Sequence, residues 1–188
     1  MASPLPRLTE SLRTAPVIRL KEYDYFVHPI TDGVPRVEPA LLDEVATALV
    51  ERLPERFDVI LTPEAMGIPI ASLVSLRAGK PFTIARKRAY GLPGEIAVPQ
   101  RTGYGQSTLH VHGIGPGDRV VLVDDVASTG GTIRALAAAC AKAGATLVSC
   151  LVVVNKGLDL KALAKEIGAP LEALVRLTVR DGRVHLER

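Results

Sequence analysis

Four short apolar runs, Val59–Leu61, Phe82–Ala85, Val120–Val123 and Leu147–Val154, constrain this chain more than any other feature. Each is continuous rather than alternating, the pattern of a strand covered on both faces. Between and around them, apolar residues recur on a helical period. Leu42, Val45, Ala46 and Leu49 follow the spacing i, i+3, i+4, i+7, with Asp43, Glu44, Thr47 and Glu51 off that face. Ile133, Leu136, Ala137 and Cys140 repeat the spacing, as do Leu160, Leu163, Ala164 and Ile167. A further helix is expected from Ile68 to about Ala78, with Pro69 in its first turn. Gly144 and Gly168 follow two of these helices, where a left-handed cap residue is wanted. Strands alternating with helices predict an α/β fold with a central parallel sheet flanked by helices. Leu174–Val179 and Arg183–Leu186, joined through Asp181-Gly182, read as a closing hairpin.

At 188 residues the chain suits one domain, residues 1–188, large enough to bury a core without staples. No apolar run approaches the roughly 20 residues of a membrane-spanning helix. Pro4 and Pro6 break the first 13 residues, which lack the apolar stretch of a secretory leader. A cytoplasmic location is therefore expected. Cys140 and Cys150 lie in apolar stretches and read as buried small hydrophobes of a reducing compartment. His110 and His112 share one face of an expected strand, but no third residue completes a metal site. The net charge of +3 suits a phosphate-bearing ligand; alone it does not predict nucleic-acid binding. Two segments resist the α/β pattern. The first 38 residues are Pro-rich with mixed polarity. Residues 87–106 hold Gly91, Pro93, Gly94, Pro99, Gly103 and Gly105 and show no period. A connection of about 20 residues in a compact domain is usually a lid or binding loop; the alternative is a long hairpin with unreadable arms.

The sharpest chemistry lies in Val120–Thr132. A buried strand runs into Asp124 and Asp125, then a Ser/Thr/Gly loop, then a helix. Ligands of open parallel sheets bind at the carboxyl ends of strands. The loop and helix N-terminus offer unpaired N–H groups and the positive end of a dipole, which favour a phosphate. Gly130 and Gly131 allow close backbone approach, and Ser128, Thr129 and Thr132 add hydroxyl donors. Two acids facing the phosphate would repel it, so they are expected to face hydroxyls or a metal beside it. Together these residues describe a sugar-phosphate site. Helix capping alone accounts for one or two of the residues, not for both acids and both glycines. There is no Lys after Gly131, so this is not a P-loop, and Gly113, Gly115 and Gly117 precede a strand, so they are not a dinucleotide fingerprint.

Val120–Thr132 resembles the phosphoribosyl pyrophosphate signature of type I phosphoribosyltransferases. The resemblance extends from about Tyr25 to the C-terminus and is closest to archaeal-type hypoxanthine/guanine phosphoribosyltransferases, a branch similar to the adenine enzymes. The stretches that carry it are Phe26–Pro35, Glu64–Pro69, Arg86–Arg88, Gly94–Ile96 and Gln100–Tyr104. It implies the type I phosphoribosyltransferase fold, with a small N-terminal hood (residues 1–38) and a flexible loop (residues 87–106). It also implies that Asp124 and Asp125 hold the ribose hydroxyls of the donor. Ala127, Ser128, Thr129, Gly130, Gly131 and Thr132 wrap its 5-phosphate. Glu64, Ala65, Met66 and Gly67 contact pyrophosphate, with Arg86 and Lys87 supplying positive charge, and Tyr104 reaches it from the loop. Val126 packs on the purine, Val27 and His28 close over it, and Lys156 is a candidate donor to a 6-oxo oxygen. Mg²⁺ is implied through the donor's oxygens, with no direct protein ligand, and a homodimer is expected by analogy.

Some positions depart from neighbouring branches. Adenine-specific relatives commonly carry an acid one or two residues before the loop tyrosine, where this chain has Gly103 and Thr102, and Arg where it has Met66. Mammalian-type hypoxanthine/guanine enzymes carry an acid where this chain has Ser128, which leaves the proton-transfer group unassigned. The resemblance predicts a purine phosphoribosyltransferase using hypoxanthine or guanine, with adenine as the alternative base. A different class of reading is a non-catalytic regulator that senses the donor or binds RNA. Only about 38 residues precede the first helix read from sequence, too few for a helical DNA-binding domain plus a hood.

Overall fold

The computed structural model describes residues 5–20, 23–102 and 105–187. In chain order its elements are α1 (Pro6–Arg13), β1 (Val17–Leu20), β2 (Tyr23–Phe26), α2 (Pro29–Asp32), α3 (Pro39–Val50), β3 (Val59–Pro63), α4 (Gly67–Ala78), β4 (Phe82–Ala85), β5 (Ile96–Thr102), β6 (Gly105–Val111), β7 (Arg119–Ala127), α5 (Gly131–Ala143), β8 (Thr146–Asn155), α6 (Leu160–Ile167), β9 (Leu171–Arg180) and β10 (Arg183–Glu187). Six strands form the main sheet in the order β10-β9-β8-β7-β3-β4. The pairs from β4 through β9 are parallel, and β10 closes the far edge antiparallel to β9. The sheet is thus the expected central parallel one, made mixed only by the antiparallel edge strand. The expected hairpin is its edge, turning at Asp181 and Gly182, both at positive φ as a two-residue hairpin turn requires.

Alternate residues of the central strands face opposite cores. Val121 and Val123 of β7 join Leu151 and Val153 of β8 beneath α1, α3 and α4. Val120 and Leu122 join Cys150 and Val152 beneath α5, α6 and the β5–β6 pair. Burial on both faces explains why these strands read as unbroken apolar runs. The helices end as their glycines predict, with left-handed φ of 71° at Gly144 and 69° at Gly168.

The elements of the N-terminal segment and of residues 87–106 were not read from sequence. Helix α1 begins at Pro6 and buries Leu8 and Leu12. No side chain of its own caps it; Glu44 of α3 instead accepts the N–H groups of Leu8 (2.8 Å) and Arg7 (3.2 Å). The one-turn α2 is capped by His28. The segment expected as an aperiodic loop, residues 87–106, contains all of β5 and the start of β6, which pair antiparallel as a separate two-stranded sheet. Its inward row is Ile96, Val98 and Gln100. A glutamine in the third position and Pro99 beside it hide the alternation. Pro99 is tolerated because this small sheet has two edges.

Candidate active site

Strands β3, β4 and β7 end at one rim of the sheet, and the loops beyond them enclose a cleft of about 430 Å³. Residues 124–133 form one wall. Asp124 is almost completely buried, and one of its carboxylate oxygens accepts the Asp125 N–H at 2.9 Å. Burial pushes its pKa up to about 6, against hydrogen bonds from Asp125 that pull it down. Burial also drives Asp125 well above the usual carboxylate range, reinforced by the charge of Asp124. Two acids so close titrate as a pair and share a proton that separate carboxylates would have lost. Such a pair is poised for hydroxyl donors or a cation, either of which favours the ionised form.

After Ala127 the chain turns through Ser128, Thr129 and Gly130 into α5. Gly130 stands at φ 76°, and a Cβ there would meet Leu163 Cδ2 and an Arg134 guanidinium nitrogen, both at 2.8 Å. The first-turn N–H groups of this 13-residue helix face the cleft mouth with no acid in that turn. Gly130→Ala is therefore expected to lose roughly 1–3 kcal/mol of stability. A urea melt of the variant against the parent checks this.

The opposite wall comes from the ends of β3 and β4. The Arg86 guanidinium lies 2.9 Å from the Glu64 carboxylate, and Glu64 also accepts the Lys87 N–H at 2.8 Å. The Glu64–Ala65 peptide is cis. Glu64 and Lys87 line the cleft; Arg86, Ala65, Met66 and Gly67 lie off the lining. Met66 reaches toward the hood, its Cε and Sδ at 3.5 and 3.6 Å from where a Gly33 Cβ would stand. Gly67 begins α4 against the acids: a Cβ there would meet Thr62 Oγ1 at 2.2 Å and Asp124 Oδ1 at 3.2 Å. The third wall is the β5–β6 pair, through Gln100, Gly105, Gln106 and Ser107. Tyr104 lies outside the described residues.

The hood residues are placed differently from the cleft residues. His28 is fully buried, its Nδ1 accepting from Ile30 N–H at 3.2 Å and its Nε2 standing 2.9 Å from Ser11 Oγ. Burial holds its pKa down at about 4 against the charge of Asp32, so the ring is neutral. Both nitrogens are used within the hood, and the structure does not bring the ring to the cleft. Val27 is half-buried, its N–H donating to Pro16. Lys156 donates its backbone N–H to Ala127 and its ammonium to the Asp24 carbonyl at 3.0 Å, joining the end of β8 to the hood.

One cluster was not read as such from sequence. Glu95 accepts the N–H groups of Tyr90 and Gly91 and spans His110 Nδ1 (2.9 Å) and His112 Nε2 (3.0 Å). The Tyr90 N–H leads in holding its carboxyl down at about 2. The two histidines do share a face, as their spacing predicts, and a carboxylate lies between them. Among the described residues no three His, Cys, Asp or Glu side chains are grouped to hold a metal. The brace fixes the turn after β4 to β6, beside the bridge between Arg86 and His110.

A doubly covered sheet with paired acids, a glycine-containing turn into a helix and a basic strand end at one rim defines an α/β protein whose cleft suits a phosphorylated ligand. Residues 37–167 match the phosphoribosyl transferase domain family, and the chain belongs to that family. It is 47% identical over 183 residues to the hypoxanthine/guanine phosphoribosyltransferase of Methanothermobacter thermautotrophicus, covering 97% of this chain and 95% of that one. It is 49% identical over 179 residues to the protein of the same name from Methanocaldococcus infernus, covering 95% and 98%. Among solved structures it superposes on the adenine phosphoribosyltransferase of Thermoanaerobacter pseudethanolicus with a TM-score of 0.75 at 26% identity, covering 90% of this chain and 99% of that one. No helix among the described residues is long and apolar enough to cross a membrane.

Proposed function

We propose that this protein is a purine phosphoribosyltransferase that moves the phosphoribosyl group of 5-phosphoribosyl 1-pyrophosphate onto hypoxanthine or guanine, releasing pyrophosphate. The observation that carries the reading is the cleft itself: the Asp124–Asp125 pair, the 128–132 loop and the Glu64–Lys87 wall open into one space. The acids accept the ribose hydroxyls, the loop and the α5 N-terminus hold the 5-phosphate, and Lys87 with Arg86 attracts the pyrophosphate. Gly67 allows the 64–67 turn to approach the acids, and Val126 supports the purine. Tyr104 is assigned to the pyrophosphate by resemblance. The β5–β6 pair and the turn before it exclude water from an electron-poor sugar carbon. Mg²⁺ would enter with the donor, held by the donor's own oxygens and by no direct protein ligand, and would supply charge neutralisation for the departing pyrophosphate. The resemblance further supports a cytoplasmic homodimer, which light scattering of the purified protein would test.

Adenine remains the second reading because solved structures of adenine enzymes share the fold. Identity of 47–49% to proteins named for hypoxanthine and guanine, over nearly the whole chain, favours the 6-oxopurines. A 6-oxopurine presents an acceptor at position 6 and a donor at N1, where adenine presents the reverse. A pocket matched to one leaves polar groups unpaired with the other, at about 1–3 kcal/mol per group. With the donor and Mg²⁺, hypoxanthine or guanine is expected to exceed adenine in kcat/KM by at least about ten-fold. A higher kcat/KM for adenine than for both overturns the base assignment. Absence of nucleotide formation with every base overturns the enzyme reading and leaves the donor-sensing regulator.

A further inference from the structure

We propose that Gln100 is a positioning residue for the phosphate subsite: its amide holds the Thr132 hydroxyl so that the hydroxyl proton is directed at the donor's 5-phosphate. The inference rests on the transferase reading above and adds a residue to it.

Gln100 occupies the third inward position of β5, after Ile96 and Val98, and is 6% exposed. Buried, an amide costs free energy unless it is hydrogen-bonded, whereas an apolar side chain of similar size would fill the position without partners. Both ends of this amide are satisfied. Its Oε1 accepts from Ser107 Oγ at 2.8 Å, on the residue paired with it across the β5–β6 ladder. Its Nε2 donates to Thr132 Oγ1 at 2.7 Å. The polarity of this chain matters. Thr132 Oγ1 is an acceptor toward Gln100, so its single hydrogen is left to donate. Nothing among the described residues accepts that hydrogen, and Thr132 lies in the first turn of α5, lining the cleft. Ser107 to Gln100 to Thr132 thus forms a relay of donors ending at the place an anion would occupy, and such chains strengthen one another. The relay also joins the β5–β6 pair to the phosphate loop through side chains.

The test is a double-mutant cycle read by calorimetry with two probes, ribose 5-phosphate and inorganic pyrophosphate. Gln100→Leu is expected to weaken ribose 5-phosphate binding about ten-fold, the loss of one oriented hydrogen bond to a charged group. Pyrophosphate binding should stay within about two-fold, which a general disturbance of the fold would not allow. In a Thr132→Val background the effect of Gln100→Leu on ribose 5-phosphate should fall below about two-fold. Gln100→Glu should lose more than Gln100→Leu, because a carboxylate consumes the Thr132 proton and repels the phosphate. Additive losses, or equal losses for both probes, overturn the positioning role while leaving the transferase reading intact. A parent protein that binds neither probe overturns both.

Discussion

Replacing Asp124 and Asp125 together by Asn is expected to weaken donor binding by more than ten-fold, from the loss of charge-assisted hydrogen bonds worth roughly 1.5–3 kcal/mol each, while the fold survives. The same variant should be more stable than the parent at neutral pH. The folded pair holds its proton up to about pH 6 through Asp124, whereas an unfolded aspartate releases it near 3.8. Between those values the native state binds more protons than the unfolded state, so the pair's contribution falls as pH rises, and Asp125, raised in the same direction, extends that fall to higher pH. Asn removes the penalty of burying charge and keeps an oxygen to accept the Asp125-position N–H. Thermal melts at pH 5 and pH 7.5, with donor calorimetry, check both parts: the parent should lose ground to the variant on going to pH 7.5. The opposite sign follows for binding. Ribose hydroxyls need ionised acceptors, so parent donor affinity should rise from pH 5 to 7. A double variant that binds donor as the parent does removes the ribose assignment.

Gly67→Ala should be nearly as severe for a different reason. The added methyl would stand 2.2 Å from Thr62 Oγ1 and 3.2 Å from Asp124 Oδ1, with the Pro63 ring at 3.4 Å. Thr62 is fully buried, so relief requires moving the 64–67 turn away from the acids. Overpacking of this kind typically costs about 1–3 kcal/mol, and misplacing the turn should reduce kcat/KM by about 100-fold. The clash also names its own rescue. Thr62 Oγ1 is buried without a hydrogen-bond partner among the described residues, so Thr62→Ala removes the obstructing atom at little cost. Gly67→Ala with Thr62→Ala is expected to recover most of the stability and at least ten-fold of the activity. Equal activity of Gly67→Ala and the parent would show that the turn need not approach the acids.

The residues legible in advance share a property. Asp124, Asp125 and the 128–132 loop are contiguous and follow a strand, and Glu64 and Arg86 each follow another, so a parallel sheet alone delivers them to one rim. Gln100 and Glu95 lay in stretches that carry the resemblance but received no role, and Thr62 was not singled out, because each gains its role from a residue brought to it by the fold: Thr132, the His110–His112 pair, and Gly67. The alternation of Ile96, Val98 and Gln100 was the available signal for β5, obscured by a polar residue in a buried position. For α1 it was the spacing of Leu5, Leu8 and Leu12, at the head of a segment read only as Pro-rich.

By itself the amino-acid order determined the strand–helix alternation, the doubly covered sheet and the glycine turn into α5, because hydrophobic period, glycine conformation and helix ends act over a few residues. Only tertiary structure decided which polar groups are spent and which are left for a ligand. His28 and Lys156, both offered as contacts to the base, are engaged by Ser11, Ile30 and the Asp24 carbonyl. Thr132, one hydroxyl among several in its loop, is set apart by an amide 32 residues away. Hydrogen-bond partners are chosen by packing across the fold, and no local pattern encodes that choice.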